Sequence, residues 1–313
     1  MLFGEKTVLI IVMSSLVLTG CTGVRRSVDT PDSSQNVAEA QEEKKEDAVK
    51  DTKSTEVLPV KEKVYLDPGW EYADLSEISS GASVLYRSPS NRKEIVIGVN
   101  AGHGTMGGEE VRTYCHPDKS PKITKGSNPA GSLKAVAISA GMIFSDGATE
   151  SEVALRASRI LRDKLLEQGY DVLMLRDDED VQLDNVARSV IANNNADCLV
   201  SLHWDGDGKG YDKGCFYIPV PDEIKEMKPV VSVWQEHERL GESLIRSLSR
   251  KGCTIYRGWV DPLELTQTCY STIPAVVIEL GNGASSHTDS ELSKLANGLA
   301  DGINSFVSGM NDR

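Results

Sequence analysis

The sequence predicts an α/β fold: a mostly parallel, mixed sheet with helices on both faces, built as a single domain. Three observations lead there. From Lys93 onward, short β-branched runs alternate with longer amphipathic stretches, strand then helix. Most of the boundaries between them carry a glycine, a proline or a capping residue that stops one element or starts the next. The length, 313 residues, suits one large domain with appendages.

The domain begins with residues 95–100, IVIGVN, a buried strand by composition. It runs into a small-residue turn that presents His103 between Gly102 and Gly104, where the backbone can pass close to whatever the imidazole holds. A long irregular insertion, residues 105–147, follows. Thr149 or Ser151 can then cap a helix carrying Val153, Leu155, Ile160, Leu161 and Leu165 at helical spacing, which Gly169 ends. Residues 170–175, YDVLML, read as a strand, 183–194 as a second amphipathic helix, and 198–203, CLVSLH, as another buried strand. A helix over 231–251 places Leu240, Leu244 and Leu248 on one face and stops at Gly252. Pro274 introduces the strand AVVIEL, 275–280, and a last helix over 289–307 carries Leu292, Leu295, Leu299, Ile303 and Phe306 as its inner stripe.

Ahead of the domain stand three different stretches. Lys6 precedes an apolar run, TVLIIVMSSLVL, shorter than the roughly 20 residues a comfortable membrane span needs. It fits the core of a secretory signal. Its ending, Leu18-Thr19-Gly20-Cys21, resembles the lipobox of bacterial lipoproteins, which implies a lipoprotein-type signal peptide over 1–21 and a lipidated Cys21. Residues 22–63 are rich in Glu, Lys, Asp, Ser and Thr and poor in large apolar side chains, so they are expected to form a disordered tether. Residues 64–92 form a lead-in arm, either a hairpin packed on the domain or a loose segment. Together these predict an exported protein, lipid-anchored on the outer face of the cytoplasmic membrane and facing the cell wall.

The formal net charge of -13 excludes a nucleic-acid partner, because a phosphate backbone needs a basic footprint. It also disfavours electrostatic adhesion to an anionic surface. Aromatic residues make up only 5 %, so no face paved for carbohydrate stacking is expected. Cys115, Cys198, Cys215, Cys253 and Cys269 contain no C-x-x-C pair, which argues against a structural zinc knot and leaves room for one disulfide among Cys215, Cys253 and Cys269.

The chemistry gathers at strand ends. His103 follows the first strand of the domain, His203 closes CLVSLH and Glu279 closes AVVIEL. In open α/β sheets ligands bind beyond the carboxyl ends of the strands, so three segments distant in sequence point at one rim. Glu150 stands at the start of the next helix, where the dipole favours a carboxylate. Two histidines and one carboxylate make a common zinc set that leaves a fourth position open for water, and a further glutamate can take that water's proton. Alternatives stay open at this point: Glu150 could serve only its helix start, Glu109, Glu110 and Glu152 are substitutes, and His116 competes for a metal role. His237 and His287 fit less well.

Four stretches carry a specific resemblance: IVIGVNAGHG, ATESEVALRASRILRDKLLEQGYDVLMLRDDED, VARSVIANNNADCLVSLHWD and IPAVVIELGN. In this order they resemble the zinc-dependent N-acetylmuramoyl-L-alanine amidases of the bacterial cell wall, over most of residues 93–313. The resemblance implies zinc ligands at His103, Glu150 (five residues before Leu155) and His203, and a catalytic glutamate at Glu279. It implies hydrolysis of the amide between N-acetylmuramic acid and L-alanine in peptidoglycan. A zinc peptidase acting on cell-wall peptides and an inactive peptidoglycan-binding relative are the other readings. Departures from the family pattern lie beside the ligands: Asn100 and Ala101 before the Gly-His-Gly turn, Trp204 and Asp205 after His203, and Asn282 after Leu280-Gly281. They bear on the substrate groove. The insertion 105–147 begins and ends at the same rim, placed to be a substrate wall or a lid.

Overall fold

A computed structural model describes residues 59–126 and 128–311. The expected signal peptide (1–21), Cys21 and the tether up to residue 58 lie outside the described residues. Among the described residues, no helix is long and apolar enough to cross a membrane.

The strands and helices run in the order β1 (Lys61–Val64), β2 (Ser83–Tyr86), β3 (Val96–Ala101), β4 (Arg112–Tyr114), β5 (Lys134–Val136), α1 (Glu150–Glu167), β6 (Asp171–Met174), α2 (Asn185–Asn195) and β7 (Cys198–Asp205). They continue with β8 (Cys215–Tyr217), α3 (Trp234–Arg250), β9 (Ile255–Trp259), α4 (Thr266–Tyr270), β10 (Ala275–Asn282) and α5 (Asp289–Asn311). An eight-stranded sheet has the order β1-β2-β6-β3-β7-β10-β8-β9. Its centre, β6-β3-β7-β10, is parallel, β2 joins β6 antiparallel, and β8 joins β10 antiparallel. The sheet is therefore mixed and mostly parallel, as expected.

The period of two along the strands sorts side chains onto two faces. Val200 and Leu202 of β7, with Val276 and Ile278 of β10, join the cluster formed with α1, α3 and α5. Leu199 and Ala275, one residue out of phase, pack on the other face with Ala187 and Ile191 of α2. That second face also receives α4, whose Cys269 and Tyr270 meet Val186 and Val190. His203 and Glu279 share the phase of Leu199 and Ala275, so both belong to the α2–α4 side.

Two starts are set by local chemistry. Thr149 and Glu152 form a capping box at α1: the Thr149 hydroxyl accepts from the Glu152 amide at 3.3 Å, and the Glu152 carboxylate accepts from the Thr149 amide at 2.9 Å. Asp184 caps α2 by accepting from the Ala187 amide at 2.7 Å, while its other oxygen takes the Glu77 and Ile78 amides at 2.7 and 2.9 Å. The lead-in segment is thereby tied to the domain.

The structure moves one boundary. The tether was expected to run to residue 63, but Lys61, Glu62 and Lys63 already belong to β1, paired with Tyr86, Leu85 and Val84. The lead-in arm is thus an edge hairpin of the main sheet. A polar stretch can form an edge strand because its outer face needs no apolar cover. The five described cysteines are all unpaired and buried, so no disulfide links Cys215, Cys253 or Cys269.

Candidate metal centre

The turn after β3 puts His103 in the left-handed region, with φ of 64°. Two buried arginines hold it there. Arg188 of α2 donates to the His103 carbonyl at 2.8 Å, to Ala101 O at 3.1 Å and to Asn100 Oδ1 at 3.0 Å. Arg176, just past β6, donates to Gly102 O at 2.9 Å, to Ala101 O at 3.2 Å and to Ser151 O, in the first turn of α1, at 2.7 Å. Burial lowers both guanidinium pKa values, to about 9 for Arg188 and about 10 for Arg176, so both remain cations at neutral pH. Gly102 must be glycine for a simple reason: a Cβ there would lie 2.4 Å from Cε1 of His203.

Three donor groups converge. His103 Nε2 lies 2.8 Å from Glu150 Oε1, His203 Nδ1 lies 3.0 Å from the same oxygen, and the two ring nitrogens are 3.1 Å apart. Ligand atoms of His103, Glu150 and His203 all fall within 4.8 Å of one another, a set that could hold a metal ion. Glu150 is 3 % exposed and its orientation is fixed twice, by the Trp204 amide on Oε1 at 3.0 Å and by the Met142 amide on Oε2 at 2.9 Å.

The donor chemistry asks for a cation. His103 Nδ1 sits 2.8 Å from the carbonyl of Ser139, which can only accept, so that nitrogen carries the hydrogen. In a neutral imidazole, Nε2 then turns a bare lone pair toward the Glu150 carboxylate. Two acceptors at 2.8 Å repel unless a proton or a metal ion lies between them. The residues present fit a metal of the zinc type, which takes imidazole nitrogen and carboxylate oxygen together. Burial would raise the Glu150 carboxyl, but the contacts with the His103 and His203 rings outweigh it and hold the group below the usual carboxylate range. Burial lowers the His203 pKa, with the Glu150 bond acting against it.

Glu279 is the in-register neighbour of His203 across the β7–β10 pair. Its Oε2 is enclosed with no hydrogen-bond partner. Burial, and then the charges of Glu150 and Asp205, push its pKa well above the ordinary value, with Lys213 pulling the other way. His103, His203 and Glu279 line one cavity of about 280 Å³. Its other walls come from the insertion, including Cys115, Lys122, Ile138 and Ser139, and from the segment Glu264–Gln267 before and into α4.

The rival residues have other duties. Glu152 is committed to the helix cap, and Glu109 accepts from the Ala140 amide at 3.1 Å; Glu110 is exposed in a turn. His116 is a buried strut, bonded to Ser120 Oγ at 2.9 Å and to Glu264 Oε2 at 2.8 Å. His237 accepts from the Ala275 amide at 2.7 Å, and His287 meets Asp146 at 2.9 Å. The insertion is part of the centre, since Ser139 and Met142 orient two of the three donors. A Cβ on Gly141, at φ 89°, would lie 2.8 Å from His103 Cδ2 and 2.9 Å from Glu150 Oε2. Sequence reasoning missed Arg188 and Arg176. The signal for Arg188 was its place among Val186, Ala187, Val190 and Ile191, an arginine on the buried stripe of α2.

A family model described as N-acetylmuramoyl-L-alanine amidase matches residues 97–305. No curated protein matches the sequence. Among solved structures, the N-acetylmuramyl-L-alanine amidase Ami1 from Mycobacterium smegmatis is similar at a TM-score of 0.58 and 16 % identity, covering 70 % of this chain and 100 % of that one. The apo form of Ami1 from Mycobacterium abscessus gives a TM-score of 0.54 at 19 % identity, over 68 % of this chain and 99 % of that one. At these identities the likeness to the two structures is one of fold.

Proposed function

This chain belongs to the N-acetylmuramoyl-L-alanine amidase family and is a peptidoglycan amidase; we propose that its chemistry is zinc-dependent, with His103, Glu150 and His203 as ligands and Glu279 as the catalytic acid and base. The bond cleaved is the amide between the lactyl group of N-acetylmuramic acid and L-alanine. The observation that carries this reading is the convergence of three donor atoms whose lone pairs face one another, beside a glutamate oxygen with no partner.

A zinc ion held there would polarise the scissile carbonyl and bring the pKa of a water toward about 7. The protein's own part can be followed residue by residue. Ser139 O holds the hydrogen on His103 Nδ1, so that Nε2 faces inward. The Trp204 and Met142 amides keep the Glu150 carboxylate from rotating away. Glu279 takes the proton of the attacking water at its carboxylate and returns it to the nitrogen of the leaving L-alanine. The same forces that raise its pKa strengthen it as a base once it is ionised. Glycan and peptide leave as separate products, one ending in a lactyl carboxylate and the other beginning with a free amine.

The same reading includes export and a lipidated Cys21 that holds the domain at the outer face of the cytoplasmic membrane, supported by the sequence of residues 1–21. Metal content tests the ligand assignment. Purified protein is expected to hold one zinc ion per chain, and the variants His103→Ala, Glu150→Ala and His203→Ala to lose it. Full zinc occupancy in any one of those variants would remove that residue from the set.

A further inference from the structure

The cavity over the candidate centre contains a cation that nothing so far uses. Lys122, in the insertion between β4 and β5, is 5 % exposed and lines the same cavity as His103, His203 and Glu279. Its backbone is pinned on both sides, with its amide donating to Ser132 O at 2.9 Å and its carbonyl accepting from the Gly131 amide at 2.7 Å. Its ammonium has neither a hydrogen bond nor an ion pair among the described residues. The one carboxylate on that wall, Glu264, is already satisfied: it accepts from the Ile123 amide at 2.9 Å, from the Thr124 amide, and from His116 at 2.8 Å. The remaining neighbours sensing the Lys122 charge are the thiols of Cys115 and Cys269, which burial keeps protonated. Nζ also lies directly over Gly126, where a Cβ would come within 3.0 Å of it.

The residue is 5 % exposed, so water reaches this ammonium only sparingly, and an anion entering the cavity would meet a cation with no protein carboxylate bonded to it. The substrate can bring such an anion. The space walled by the insertion and by Glu264–Gln267 adjoins Glu279, and of the two halves of the substrate it is the peptide that brings carboxylates, on acidic side chains or at its end. We propose that Lys122 binds a carboxylate of the stem peptide, making the insertion a specificity wall that selects acidic over amidated stems. This rests on the amidase reading given above.

The test uses full-length enzyme and two muramyl peptides that differ only in whether the peptide carboxylates beyond L-alanine are free or are carboxamides. A charge-assisted contact of this kind predicts that the wild type favours the acidic substrate by about ten- to a hundredfold in kcat/KM, mostly through KM. Lys122→Met should lose that preference by slowing on the acidic substrate alone, and Lys122→Arg should keep it. Equal rates of the wild type on both substrates, or an equal fall on both in Lys122→Met, would overturn the proposal. An enzyme that releases peptide from neither substrate would contradict the amidase reading itself, and this proposal with it.

Discussion

The guanidinium of Arg188 donates to the carbonyl of His103 at 2.8 Å, and His103 sits there at a φ of 64°. A non-glycine residue in that region costs on the order of 1–3 kcal/mol unless its surroundings impose it. Arg188 and Arg176 together take up the carbonyls of Ala101, Gly102 and His103. The His103 turn is thus held by two cations anchored in α2 and behind β6.

Removing one of them should loosen the turn before it unfolds the domain. Arg188→Lys, which keeps the charge but loses the fork, is expected to weaken zinc binding by about ten- to a hundredfold, the range for groups that orient ligands. Competition with a chelating dye measures it. Unchanged affinity would mean that His103 holds its conformation without Arg188.

Glu279 is assigned proton transfer and no ligand duty. Glu279→Gln should therefore retain zinc while turnover falls by about a hundred- to ten-thousandfold. Near-normal hydrolysis in that variant would take Glu279 out of the mechanism.

The acid side of the pH profile should report the same group. Glu279 must be ionised to accept a proton, and burial with Glu150 and Asp205 raises its pKa above the ordinary 4.5. The acid limb of kcat/KM is thus expected above that value. Asp205→Asn removes one of the raising charges and leaves Lys213, its ion-pair partner, with Asp207 alone. Both changes favour the carboxylate, so the limb should move to lower pH. A shift to higher pH would contradict the assignment.

His237 makes a separate prediction about stability. Burial lowers its pKa from 6.5 to about 4, and its Nδ1 accepts from the Ala275 amide at the start of β10. Between those pH values the unfolded chain binds a proton that the folded chain refuses. Stability is thus fully present above 6.5 and is lost as pH falls toward about 4. At about 1.4 kcal/mol per pKa unit this amounts to about 3 kcal/mol. His237→Asn, which keeps an acceptor, should flatten that part of the curve of denaturation midpoint against pH. An unaltered slope would place its origin elsewhere.

The elements legible in the sequence were those whose burial leaves a long pattern. β3, β7 and β10 are covered on both faces and read as continuous apolar runs, and α1, α3 and α5 bury one stripe each. The edge strands β1 and β9, the interior strand β8 and the pair β4–β5 are three to five residues long, too short to show a period. The three donors and Glu279 were legible because each stands near the carboxyl end of a strand or opens a helix, and the family resemblance joins them. The groups that orient them were not. Arg176, Arg188, Ser139 and Met142 act largely through backbone atoms or on backbone carbonyls far away in the chain, and such contacts leave no spacing to read.

The most direct measurement is mass analysis of the products from purified peptidoglycan, with zinc-loaded and chelator-stripped enzyme side by side. Intact stem peptides beginning with L-alanine, released only by the zinc-loaded protein, are the predicted result. Cleavage inside the stem peptide, or full release by the stripped enzyme, would contradict a zinc amidase built on His103, Glu150 and His203.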